Sequence, residues 1–311
     1  MVERISPADR SEWLAIRGRD ITASVVGALF GAHEYVTLYE LWALKSGRLR
    51  RSSAETPAMQ RGRLLEPVAV QLLREQRPGW TLHHNAAENI YWRDPQARLG
   101  ATPDVLAEAP GRGTGVVQIK SVEAGTFRRK WLDDAGEPEA PLWIALQASL
   151  EAYLTGAQWA AVAPLVIGHG LEMPLIDVPL VEGVTEAIEE RAAEFWRMVE
   201  EGRAPEPDYS RDGAIIDRLY AQGDGEHEVD LSADNRIPTL LAERADALAA
   251  RRDADARISE IDAEVKAKMG TAEVAHIGDG RRITWATQRR AGFHAPPKTV
   301  RTLRYPPTPK E

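Results

Sequence analysis

Residues 102–120 read TPDVLAEAPGRGTGVVQIK. Asp104 enters one run of period-two alternation, and Gln118 and Lys120 stand on the next, separated by the apolar Ile119. On a strand, residues two apart point to the same face, so Gln118 and Lys120 project together, away from a buried Ile119. A hairpin through the glycine-rich turn brings Asp104 beside them. An acidic residue, a second oxygen ligand and a lysine at the open end of a sheet suit hard-cation chemistry. The oxygens hold Mg²⁺, with Mn²⁺ as a substitute, the ion polarises a phosphate, and the lysine positions or deprotonates a water. By itself D-x13-Q-x-K also describes many ordinary hairpins, so neighbouring segments must agree.

The helix before this sheet contributes one such agreement. TPAMQRGRLLEPVAVQLLREQRPG starts at Thr56-Pro57, closes at Pro78-Gly79 and buries Leu65, Val68, Ala69, Leu72 and Leu73. Glu66 lies at the edge of that stripe, just before Pro67, where it can add a third oxygen ligand. WTLHHN, NIYWRD, RLGATPDVLAE and GVVQIKSV read as strands, and His83 and His84 alternate faces, which makes them structural. PLWIALQASLEAYLTG is a helix ending at Gly156, followed by strands WAAVAPLVIG and LEMPLIDVPL and the amphipathic helix VTEAIEERAAEFWRMVEEG. Residues 202–238 read as a linker or long loop. Residues 239–269 read as one long helix packed on its Leu240, Leu241, Leu248, Ile258, Ile261 and Val265 side. A hairpin then turns at Gly278-Asp279-Gly280, and residues 291–311 form a proline-rich basic tail. Trp42, Trp131, Trp143 and Trp196 are read as packing rather than base-stacking platforms.

The chain has no cysteine, which excludes disulfides, thiolate zinc, iron–sulfur clusters and a cysteine nucleophile. Its N-terminal MVERISPADR lacks an apolar signal core, and no window is apolar enough to span a membrane, so a cytoplasmic location is expected. The net charge of −8 is unevenly placed. Residues 1–130 carry 19 Lys/Arg against 14 Asp/Glu, residues 131–288 carry 14 against 32, and the remainder carries 6 against 1. A cationic surface on the first half is therefore compatible with an acidic chain.

Near the N-terminus, Ser6-Pro7 reads as the start of a short helix that continues into WLAIRGRDITAS, residues 13–24. Trp13 and Arg17 share a helical face, and Thr22 and Ser24 precede an apolar run. The stretch is either a capped helix start or an anion pocket built from Arg17, the hydroxyls and free backbone N–H groups. Arg128, Arg129 and Lys130, straight after the lysine strand, are read as phosphate contacts at the mouth of the site.

Five pieces of local wording occur in one order: W-x3-R-x4-I-T-A-S, R-G-R-x2-E-P, G-A-T-P-D, Q-I-K and L-Q-A-S-L-E-A-Y-L-T-G. This order resembles the phage lambda exonuclease and YqaJ-type viral recombinase family of the PD-(D/E)xK nuclease superfamily, over roughly residues 10 to 200. The resemblance implies an α/β (α+β) fold with a restriction-endonuclease-like core over residues 1–201. That core has a mixed central sheet flanked by helices, and the long helix and hairpin over 239–290 are appended to it. It makes Asp104, Gln118, Lys120 and Glu66 catalytic, with Asp104, Gln118, Ile119 and Glu66 at the metal. It assigns Arg17 and Ser24 to a 5′-terminal phosphate, to which the Thr22 hydroxyl adds at the helix start, and matches Gln147 and Tyr153 to a glutamine and an aromatic residue on the helix after the core. Gln118 departs from the pattern, because the family usually has glutamate there, so the ligand set loses a charge. The implied activity is Mg²⁺-dependent exonuclease action on duplex DNA ends, 5′-to-3′, in phage-type recombination. A single-strand annealing protein is the implied partner and a ring-shaped homo-oligomer the implied assembly. A non-catalytic DNA-end-binding protein and a restriction-type endonuclease are the alternatives.

Overall fold

In the computed structural model, which describes residues 1–50, 55–223, 225 and 228–289, the chain forms two units, Met1–Tyr220 and Ala221–Glu311. The first unit runs β1 (Glu3–Ile5), α1 (Arg10–Gly18), β2 (Ile21–Thr22), a 3-10 helix (Ala23–Phe30), α2 (Leu38–Lys45), α3 (Pro57–Gln76), β3 (Thr81–His84), β4 (Tyr91–Asp94), β5 (Leu99–Ala101) and β6 (Val105–Ala109). It continues with β7 (Gly113–Glu123), α4 (Ala124–Lys130), α5 (Leu142–Thr155), β8 (Trp159–Ile167), β9 (Leu171–Glu172), β10 (Ile176–Val178), α6 (Val184–Glu200) and α7 (Gly213–Leu219). The expected mixed α/β architecture is present. Its main sheet has the order β10-β8-β7-β6-β3, with β9 on β8; β7 and β8 are parallel and their other neighbours antiparallel.

RLGATPDVLAE reads as a single strand but folds as two. β5 joins a second sheet of order β1-β4-β5-β2, while β6 joins the main sheet. Pro103 has no N–H to give to a ladder, and the chain changes sheets across it. This break leaves Asp104 at the open start of β6.

α5 is buried between the two halves of the unit. Its Ile144, Ala148 and Ala152 pack with Val116 and Val162 of the main sheet. Its Leu146, Leu150 and Leu154 pack with the 3-10 helix and with α6, against Val26, Leu29 and Phe195. Such all-round burial explains the apolar sequence of α5. The 3-10 helix approaches so closely that a Cβ on Gly27 would lie 2.7 Å from the Cβ of Trp143. α3 covers the opposite face of the main sheet, where Ala69, Val70 and Leu73 meet Val117 and Ile119. Thr56 caps α3 as read, its hydroxyl accepting from Met59 N at 3.2 Å. α1 begins later than Ser6-Pro7 suggests, because Asp9 is its cap and accepts from Glu12 N at 2.8 Å.

The stretch 202–238 is not a linker throughout. Asp212 is fully buried, accepts from Thr37 Oγ1 at 2.6 Å and precedes α7, which buries Ile215 in the core. The first unit therefore extends to Tyr220. In the second unit α8 (Arg236–Met269) is followed by the hairpin β11 (Val274–His276) and β12 (Arg282–Thr284), paired antiparallel. The side of α8 expected to pack is largely uncovered, with Leu240, Leu248, Ile258 and Ile261 exposed and Leu241 and Val265 partly buried. Local pairs such as Arg251–Asp255 and Arg257–Glu260 support this helix along its own surface. The basic tail over 291–311 lies outside the described residues.

Gly115 lies opposite Trp159 in the β7–β8 register, and a Cβ there would fall 2.1 Å from the indole ring. Gly115→Ala should therefore destabilise the first unit by about 1–3 kcal/mol, read as a lower denaturation midpoint. An unchanged midpoint would show that Trp159 can move aside.

Candidate active site

The antiparallel register pairs Val105 with Val117, so Asp104 comes opposite Gln118 at the place where β6 begins. Asp104 Oδ2 accepts the Ile119 backbone N–H at 2.8 Å and the Gln118 side-chain amide. Gln118 and Lys120 share the face of β7 that carries Val116 and Val122 and looks toward α5, whereas Ile119 faces α3. Lys120 Nζ donates to Gln147 Oε1 at 3.0 Å, and Gln147 Nε2 donates to Glu151 Oε1 at 2.8 Å. Glu66 arrives from α3, on the other side of the sheet, where its Oε1 pairs with His84 Nε2 at 2.7 Å. Glu66, Asp104, Gln118, Ile119 and Lys120 all line one cleft of about 620 Å³, with Trp143 on a further wall.

Burial pushes the Asp104 carboxyl up to about 7; the Lys120 ammonium opposes that shift and the Glu66 carboxylate adds to it. Burial also pushes Glu151 up to about 8, reinforced by Asp104. Gln118 Oε1 is buried with no hydrogen-bond partner. Among the described residues no three His, Asp or Glu side chains gather as a metal site. The oxygen donors are two carboxylates, Asp104 and Glu66, with the Gln118 amide and the Ile119 carbonyl beside them. That set fits Mg²⁺, which is commonly held by one or two carboxylates and keeps several waters. An amide oxygen without a partner is the donor such a set would still use.

A second polar cluster lies on WLAIRGRDITAS. Arg17 donates to Ser24 Oγ at 3.2 Å, Ser24 Oγ and Thr22 Oγ1 are 3.1 Å apart, and the Arg17 guanidinium lies over the Trp13 ring at 4.2 Å. Thr22 occupies the cap position of the 3-10 helix yet makes no side-chain capping bond; its hydroxyl meets Ser24 Oγ instead. Lys45 Nζ clamps the backbone by donating to Arg17 O at 2.7 Å. His33 Nδ1 accepts the N–H groups of Tyr35 and Val36, so its Nε2 carries the proton given to Ser24 O at 3.0 Å. Burial lowers the His33 pKa and keeps the ring neutral. Arg17 and Lys120 both favour the ionised form of Glu151, which places the two clusters within electrostatic reach of one carboxyl on α5.

The structure thus gathers Glu66, Asp104, Gln118, Ile119, Lys120 and Gln147 in one place and Arg17, Thr22 and Ser24 in another. Tyr153 joins neither, since its hydroxyl donates to Glu189 Oε1 on α6 at 2.8 Å. Arg128, Arg129 and Lys130 are exposed on α4, where Lys130 pairs with Glu34 on the cleft wall. Trp42, Trp131 and Trp196 are buried as packing, while Trp143 is partly exposed in the cleft with Lys120 Nζ 5.9 Å from its ring. The alternation of His83 and His84 hid the contact of His84 with Glu66. Glu151 is a further polar residue of this site, and a carboxylate inside an otherwise apolar helix is its signal in the sequence.

Residues 12–158 match the model of the YqaJ-like viral recombinase domain. This matched stretch is similar to that domain. It spans α1 to the threshold of β8 and contains every residue of both clusters. The chain is also similar to the YqaJ protein of Bacillus subtilis strain 168, at 24% identity over 283 residues, covering 88% of this chain and 82% of that one. Among solved structures it is similar to an alkaline exonuclease of Laribacter hongkongensis, with TM-score 0.46 and 21% identity over 66% of this chain and 98% of that one. It is similar as well to a phage-related exonuclease of Haemophilus somnus 129PT, with TM-score 0.42 and 14% identity over 58% and 94%.

Because Glu66 helps to hold the Asp104 proton, Glu66→Gln should lower the Asp104 pKa toward the ordinary carboxylate range. Carboxyl ¹³C titration by NMR reads this directly, and an unmoved midpoint near 7 would mean that burial acts alone.

Proposed function

We propose that this protein is a divalent-cation-dependent deoxyribonuclease that degrades duplex DNA from its ends, 5′-to-3′. The observation that carries the reading is the pairing of Asp104 with Gln118 and Ile119 beside Lys120, inside a cleft that also receives Glu66. Asp104, Glu66, the Gln118 amide oxygen and the Ile119 carbonyl would hold Mg²⁺, with Mn²⁺ as a substitute. Once bound, the ion would polarise the scissile phosphate and offset its charge. Lys120, held by Gln147 Oε1, donates from the α5 side to the attacking water or to a phosphate oxygen. Asp104 gives up its proton before it can serve as a ligand, so cation affinity should rise with pH. Arg17 supplies a fork of donors, and Ser24 and Thr22 supply hydroxyls suited to a terminal phosphate.

By resemblance, the proposal extends to recombination, with a single-strand annealing protein as partner and a ring around duplex DNA as the assembly. A second reading, a DNA-end-binding protein without catalysis, is favoured by one feature. The Gln118 amide N–H, rather than its oxygen, points at Asp104.

Digestion of end-labelled linear and closed circular DNA, with and without Mg²⁺, separates these readings. Linear duplex should release nucleotides only with the cation, and Asp104→Ala or Lys120→Ala should abolish release. End binding without release supports the second reading, and cutting of circles would make the protein an endonuclease. Arg17→Ala and Ser24→Ala should slow digestion of 5′-phosphorylated ends by about 10- to 150-fold, the worth of a charge-assisted contact, and spare 5′-hydroxyl ends. Equal loss on both end types would make the stretch a structural helix start.

A further inference from the structure

α5 buries Gln147 and Glu151 one turn apart, at 4% and 1% exposure. A carboxyl sunk in an apolar helix is costly unless its hydrogen bonds are met, and here only one oxygen is used. Glu151 Oε1 accepts from Gln147, whereas Oε2 has no hydrogen-bond partner. Packing alone would be served better by methionine or leucine.

The donors and acceptors explain what the carboxyl does. Lys120 is a pure donor, so the Gln147 group that faces it must be the amide oxygen. The amide N–H₂ then points the other way and requires an acceptor, which Glu151 supplies at 2.8 Å. Without that acceptor the buried N–H₂ has no partner, and only the ammonium itself opposes an end-for-end turn of the amide, which would set N–H₂ against it. We propose that Glu151 is a positioning residue that locks the Gln147 amide so that its oxygen holds the Lys120 ammonium in the cleft. Its functional meaning rests on the nuclease reading of Lys120. Burial pushes the Glu151 carboxyl up to about 8, but a protonated carboxyl still offers a carbonyl oxygen to Gln147, so the lock survives protonation.

The test uses the full chain. Its seven lysines are labelled by reductive ¹³C-methylation, and the Lys120 resonance is assigned as the one missing from Lys120→Arg. In Glu151→Met the Lys120 resonance should move toward that of a freely solvated lysine while the melting temperature does not fall. On linear duplex with Mg²⁺ the same variant should lose about 10- to 100-fold in kcat at unchanged KM, as misplacement of a reacting group predicts. Glu151→Gln keeps a carbonyl oxygen toward Gln147 and should restore both readouts. Gln147→Leu breaks the chain at its middle and should shift Lys120 as Glu151→Met does, and the double variant should add nothing. A Lys120 resonance unmoved in both Glu151→Met and Gln147→Leu overturns the proposal. Should the wild type release no nucleotides, the nuclease reading falls, while the resonance still decides whether Glu151 positions Lys120.

Discussion

The Asp104 carboxylate is bonded to the strand opposite it, through the Ile119 backbone N–H and the Gln118 side chain. Both bonds exist only in the register that pairs Val105 with Val117, since a slip of one residue would send Gln118 and Lys120 to the α3 face. The same register sets Ile119 against Ala69 and Val70 and turns Lys120 toward α5. Packing on two faces of the sheet therefore fixes the position of one charge at its end. The change of sheets at Pro103 keeps that end open.

α5 carries the consequences further. Its Ile144 and Leu146 sides meet different halves of the unit, so the helix cannot rotate without breaking one core or the other. Gln147 and Glu151 occupy the seam between those sides, with Lys120 beyond Gln147. Arg17 acts on Glu151 electrostatically from the second polar cluster. The helix thus carries one carboxyl that feels both the Lys120 and the Arg17 charges. Gly27 permits this arrangement by letting the 3-10 helix close on Trp143.

Much of this arrangement is legible in the sequence because it depends on local periodicity. Gln118 and Lys120 share a face by strand spacing, Thr56-Pro57 caps α3, and Glu66 reaches the cleft from the edge of its apolar stripe. What was not legible depends on which sheet a strand joins and on what lies across the core. β5 and β6 read as one strand because only Thr102, Pro103 and Asp104 separate two apolar runs. Tyr153 follows Gln147 on the same helix, yet two residues past Glu151 the helix surface has turned toward α6 and Glu189. Asp212 looked like part of a polar linker, since nothing local reveals that Thr37, far back in the chain, donates to it.

The central claim is that Asp104 and Gln118 form part of a cation site, although Gln118 contributes no charge. Titration with Mn²⁺, followed by the electron paramagnetic resonance signal of the free ion, measures this without DNA. The account predicts saturable binding by the wild type, loss of that binding in Asp104→Asn and tighter binding in Gln118→Glu, which adds a carboxylate to the oxygen set. Identical binding by all three proteins would place the ion elsewhere and contradict the account.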